Sequence, residues 1–135
     1  NITLNRGGAS REQMWGPLGG PEWQRNDAHA QAEGLRGSQI YVSNGTGLAG
    51  EWDMPNGSKL GKADPLIASV NSSILVVQGG AIEAATNTCT HDFKKKLESM
   101  NIPANFVLRN TGTHSWSYWE QDLRDSWPTF EKAFS

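Results

Sequence analysis

The sequence predicts an α/β fold whose parallel sheet is incomplete within the chain. Two short β-branched and aromatic runs, Ser38 to Ser43 and Asn105 to Arg109, read as strands. Between them Ala81 to Met100 repeats apolar residues at helical spacing, the order of a parallel crossover unit. Two or three strands do not make a sheet covered on both faces. Tyr41, Val42, Phe106 and Leu108 are thus expected at an open edge.

The first 25 residues show little periodicity and carry the turn signals Gly7-Gly8, Gly16-Pro17 and Gly19-Gly20-Pro21, so they read as loop anchored by Met14, Trp15 and Trp23. Asn26-Asp27 reads as the N-cap of a short Ala-rich helix reaching Leu35 and closed by Gly37. The first strand ends at Asn44-Gly45-Thr46-Gly47, a strand-terminal turn without the Lys-Ser/Thr of a phosphate cradle. Residues 45–65 are Gly-rich and loop-like, part of a long loop insertion expected at about 44–77. Within it Ile74 to Val77 is either a strand or the packed wall of the insertion. In the long helix Ile82, Ala85, Cys89, Phe93, Leu97 and Met100 form one apolar stripe, and Asn101 and Pro103 stop it. A last helix opens near Ser115 with Trp116, Trp119 and Leu123 on one face, and Pro128 restarts or kinks it.

The 135 residues are the size of one ordinary domain, and the composition, 36% hydrophobic and 19% charged, is globular. No apolar run long enough to span a bilayer is read from the sequence, and no leader pattern opens it. A net charge of −2, with Lys94-Lys95-Lys96 as a solvated helix face, argues against a nucleic-acid partner. No His-Glu-x-x-His, Cys pair or acidic ligand cluster suggests a metal, and no cofactor is expected. Cys89 is the sole cysteine, read as a small buried hydrophobe or as the partner of a cysteine elsewhere in a longer polypeptide.

The chemistry concentrates in Gly112-Thr113-His114-Ser115-Trp116. His114 follows a strand and precedes a helix, where an α/β-hydrolase carries its general base. His29 and His91 are expected to be exposed. A catalytic histidine needs a carboxylate that fixes its tautomer, and in this fold the acid precedes the base. Glu51, Asp53, Asp64, Glu83 and Asp92 are candidates. Glu83, expected at the N-terminal end of the long helix where the dipole favours an anion, stands slightly ahead of Glu51 and Asp53. No Gly-x-Ser-x-Gly elbow supplies the nucleophile, so the isolated chain is expected to be inactive.

Met14-Trp15-Gly16-Pro17, Trp23-Gln24-Arg25-Asn26-Asp27, Ile40 to Gly47 and Gly112 to Trp119 occur in an order that resembles the antigen 85 type mycolyltransferases, nearer their corynebacterial and related actinobacterial branch. The resemblance implies that residues 1–135 are the C-terminal half of a single α/β-hydrolase domain, secreted or held in the cell envelope. It implies acyl transfer by a Ser-Glu-His mechanism, moving mycolyl groups between trehalose esters or to cell-wall arabinogalactan. Its partners would be trehalose mycolates, cell-wall glycolipid and the N-terminal half of the fold. It assigns the base to His114 and the acid to Glu83, 31 residues earlier, and sets Trp116 against the sugar or acyl site, a position equally suited to packing the last helix. The stretch 48–77 departs from the family pattern, as does Ser43, where mycobacterial members carry a cysteine. The rival readings are a non-catalytic carbohydrate- or matrix-binding relative and a generic serine carboxylesterase.

Overall fold

A computed structural model of the chain describes residues 8–57 and 64–135. Its elements are α1 (Arg11–Trp15), α2 (Pro21–Asn26), a 3-10 turn (Ala32–Leu35), β1 (Tyr41–Asn44), a second 3-10 turn (Glu51–Asp53), α3 (Pro65–Ile74), a π turn (Leu75–Gly79), α4 (Gly80–Ser99), β2 (Asn105–Leu108) and α5 (Trp116–Phe134).

The N-terminal segment, expected as loop, holds two short helices. Ser10 and Gln13 form a reciprocal capping box that starts α1, and Gly16 ends it at φ 70°. Pro21 opens α2 with a preset φ. The helix expected to start at Asp27 does not form. Asp27 instead ends α2, accepting hydrogen bonds from the His29 amide (2.8 Å) and the Trp23 indole (3.1 Å). An Asx turn of this kind competes with helix initiation, so only the short 3-10 turn follows. Trp15 and Trp23 meet edge to face at 5.5 Å, while Met14 is largely solvent-facing.

The expected parallel pair is present. Tyr41, Val42, Ser43 and Asn44 of β1 align with Asn105, Phe106, Val107 and Leu108 of β2. The core lies where the C-terminal half of α4 crosses this pair: Ala32, Leu97 and Ile102 are buried, with Phe93, Met100, Ile40 and Phe106 packed around them. Cys89 lies outside it, exposed, which corrects the reading of a buried thiol. A groove of about 500 Å³ runs along β1, lined by Ile40, Tyr41, Trp119, Leu123 and Phe130 among others.

The larger correction concerns the middle of the chain. Residues 65–79 are helical rather than loop or strand, and α3, the π turn and α4 run on without a break as one helix from Pro65 to Ser99. Asp64 caps its start by accepting the Leu66 amide at 2.9 Å. Gly79 and Gly80 look like breakers in sequence, yet both have right-handed helical dihedrals. Glycine serves there for close approach, since a Cβ on Gly80 would sit 2.6 Å from the Gly47 carbonyl oxygen. The continuous helix also amends the expectation of no membrane-length run, because it is long and apolar enough to cross a bilayer by length and composition. Leu66, Ile67, Val70 and Val77 on it face outward, while Ala68, Ser72 and Gly79 turn inward. Likewise α5 runs through Pro128 as a single helix.

Candidate functional site

The site forms at the C-terminal ends of the two strands, where parallel α/β sheets place their reactive groups. Glu83 enters it from the middle of the long helix, not from a free helix N-terminus. Its backbone lies within a continuing helix, so no unpaired amides stabilise the carboxylate as the sequence suggested. Side chains and loop backbone do that work. Glu83 Oε1 accepts the Gly45 amide at 2.7 Å and Asn44 Nδ2 at 2.9 Å. An Arg109 guanidinium nitrogen lies 4.0 Å from the same oxygen. The Glu83 side chain is only 4% exposed, so these partners offset the cost of removing a carboxylate from water.

The second oxygen, Oε2, faces His114 Nδ1 at 2.9 Å. A carboxylate only accepts, so this contact puts the proton on Nδ1 and leaves the Nε2 lone pair free. His114 is 39% exposed in its side chain, enough for Nε2 to be reached from outside. Its ring packs edge to face on Trp119 at 4.7 Å, and its amide donates to the Gly79 carbonyl at 3.2 Å. The geometry leaves an oriented imidazole with one nitrogen committed and one available.

The remaining acid candidates do not reach His114. Glu51 is exposed, Asp64 caps α3 and Asp92 lies 3.5 Å from Lys95 on the solvent side of α4. Asp53 is fully buried and accepts hydrogen bonds from Tyr118 Oη (2.8 Å), the Gly50 amide (2.9 Å) and the Thr113 hydroxyl. Burial and the hydrogen bond to Asp53 push the Tyr118 hydroxyl well above its ordinary range. His29 and His91 are exposed. Trp116 is 78% exposed and meets Trp119 at 5.2 Å; it does not pack the interior of this chain. No group of three metal-ligating side chains occurs among the described residues.

Several residues at the site were not singled out from sequence. Asn44 and Arg109 each stand at the end of a strand or one residue past it, and that position was the available signal. Arg109 pairs with Asp122 and lies over the Tyr118 ring at 5.3 Å, so it links α5 to Glu83. Trp119 is five residues past His114, and only the turn between them brings the two rings together.

Fold and site define a class: a parallel α/β segment with a buried carboxylate holding an accessible imidazole at the strand ends. Comparison with known proteins narrows it. No protein-family profile matches the chain. The diacylglycerol acyltransferase/mycolyltransferase Ag85B of Mycobacterium intracellulare is 33% identical over 132 residues, covering 94% of this chain and 33% of that protein. Ag85B of Mycolicibacterium smegmatis is 30% identical over 138 residues, covering 98% and 37%. Ag85C of Mycobacterium avium is 27% identical over 136 residues, covering 94% and 31%. The chain is thus homologous, along nearly all of its length, to the Ag85-type mycolyltransferases, and it spans about a third of their length.

Proposed function

We propose that this chain is the acid-and-base part of an α/β-hydrolase-fold mycolyltransferase, residues 1–135 forming the C-terminal portion of that single domain, and that Glu83 and His114 are its catalytic acid and base. The observation that carries this reading is the 2.9 Å contact between Glu83 Oε2 and His114 Nδ1, with Glu83 buried and His114 open on its other side.

In the proposed reaction a serine hydroxyl from another stretch of polypeptide attacks the ester carbonyl of a trehalose mycolate. His114 Nε2 takes the hydroxyl proton, and Glu83 stabilises the imidazolium that results. Collapse of the tetrahedral adduct breaks the ester bond; the departing sugar oxygen takes the proton from Nε2, leaving the mycolyl group on serine. An acceptor sugar hydroxyl, of trehalose or arabinogalactan, then loses its proton to Nε2 and attacks the acyl-serine. His114 returns that proton to the serine as it leaves. Trp116 supplies an exposed indole face beside the histidine, suited to stacking on a sugar ring. A secreted or envelope location follows from the same relationship.

The test is hydrolysis of a p-nitrophenyl ester. A polypeptide carrying both the serine segment and this chain should turn over, and His114→Ala should abolish it. The 135-residue chain alone should release no nitrophenol above the buffer rate. Robust hydrolysis by the chain alone, lost in His114→Ala, would overturn the division of labour, because a nucleophile would then lie within these residues.

A further inference from the structure

We infer that Asp53 is a positioning residue for the His114 imidazole, acting through Thr113. The inference rests on the Glu83–His114 pair being the catalytic one.

Among the described residues, two sets of hydrogen bonds join the long helix to the loop that carries His114. The first is the dyad, supported by the His114 amide on the Gly79 carbonyl. The second runs through Asp53. On one side the Asp53 carbonyl accepts the Ser72 hydroxyl, on the same helix as Glu83 and about three turns before it. On the other side its carboxylate accepts the hydroxyl of Thr113, the residue directly before His114. Tyr118 Oη, in the first turn of α5, occupies the second carboxylate oxygen together with the Gly50 amide. Asp53 and Thr113 are both wholly excluded from solvent, and Tyr118 is 5% exposed.

The His114 amide on Gly79 and the Gly112 bonds to Gly47 and Leu48 hold the loop backbone, and the Thr113–Asp53 bond fixes the side chain next to the imidazole from the opposite side. Through Thr113, Asp53 opposes withdrawal of the imidazole from Glu83. A displacement of about 1 Å in a proton-transferring group is enough to cost a reaction orders of magnitude. The surroundings are built around this contact: a Cβ on Gly50 would lie 2.4 Å from the Tyr118 hydroxyl oxygen, so that tyrosine reaches Asp53 only past a glycine. A carboxylate used solely for packing would be a costly choice in a fully buried position, where an apolar side chain of similar size needs no donors.

The test uses proton NMR on a polypeptide that carries both the serine segment and this chain. A proton shared between His114 Nδ1 and a carboxylate resonates far downfield of the backbone amides, and Glu83→Gln should remove that signal and so assign it. In Asp53→Asn and in Thr113→Val the signal should exchange with solvent at least about tenfold faster, or vanish, while the far-UV circular dichroism stays native. Thr113→Ser, which keeps the hydroxyl, should exchange as wild type does. If both variants fold and retain wild-type exchange, Asp53 is a packing residue and the inference is overturned. Should Asp53→Asn fail to fold, the Thr113 pair decides alone. A wild-type chain with no Glu83-dependent signal would instead overturn the dyad, and the inference with it.

Discussion

At the scale of single residues, the site depends on a carboxylate that is expensive to bury and therefore heavily bonded. Three donors and a nearby guanidinium hold Glu83, and only one of its contacts is the histidine. Replacing it with glutamine keeps the shape but offers His114 an amide that tolerates the wrong tautomer. In a polypeptide that supplies the serine, Glu83→Gln is expected to lower kcat by about 10³–10⁴-fold with a smaller change in KM, read in a steady-state ester assay. Among the described residues Leu97 is the largest fully buried apolar side chain. Leu97→Ala should destabilise the chain by about 2–5 kcal/mol, measured as a lower urea midpoint at constant m-value. Tyr118 gives a pH signature. Its folded-state pKa lies above its unfolded value near 10, so the folded chain binds more protons than the unfolded chain once pH rises past that value. The contribution is complete below about pH 10 and is lost as pH climbs toward the folded pKa. Tyr118→Phe should therefore flatten the alkaline decline in stability, followed by denaturant titrations at successive pH values.

Among the elements, the long helix decides most. Its π turn lies between the stretch that bonds Asp53 and the stretch that bears Glu83, the kind of irregularity that re-aims a side chain at a site. The helix presses its backbone onto the loop after β1. Gly47 sits there at φ +84°, and a Cβ would meet the Gly80 carbonyl oxygen at 2.2 Å. Gly47→Ala therefore faces both a left-handed backbone and a backbone clash, with no flexible side chain to yield. It is expected to cost at least about 1–3 kcal/mol and to weaken the downfield His114 signal, since this loop also presents Gly45 to Glu83. Chemical denaturation and NMR on one sample check both effects.

Much of the element order could be read without coordinates. The strands at Tyr41 and Asn105 were legible because β-branched and aromatic residues fit a pleated surface, although the same pattern left Ile74 to Val77 open between strand and wall, and that run is helical. The helix at Asp27 was not, because an aspartate that caps a helix and one that makes an Asx turn look identical until its donors are known. The start of the long helix was not legible either. Glycine marks a stop in sequence, but here it marks where two backbones touch. With the helix read as starting at Ala81, Glu83 was expected at a helix end it does not occupy.

For the whole molecule, the distribution of apolar surface matters. Leu123, Trp127 and Phe134 lie on α5 largely in solvent, and Tyr41 presents a buried hydroxyl without a partner beside the groove along β1. A two-stranded parallel sheet is seldom stable with both edges open. The isolated chain is expected to bind the dye ANS strongly, and Leu123→Asp at the groove should reduce the fluorescence; unchanged emission would place the exposed surface elsewhere.

The sequence alone determined the strand-helix-strand order and the resemblance to mycolyltransferases, and it singled out His114, because these are local patterns or fixed strings of residues. Only the tertiary structure decided which carboxylate meets that imidazole by geometry, which donors that carboxylate bonds, and that Asp53 bonds the loop from behind. Those facts depend on donors and acceptors brought together from 31 to 65 residues apart, and a hydrogen bond leaves no trace in the sequence until folding sets its two ends within 3 Å.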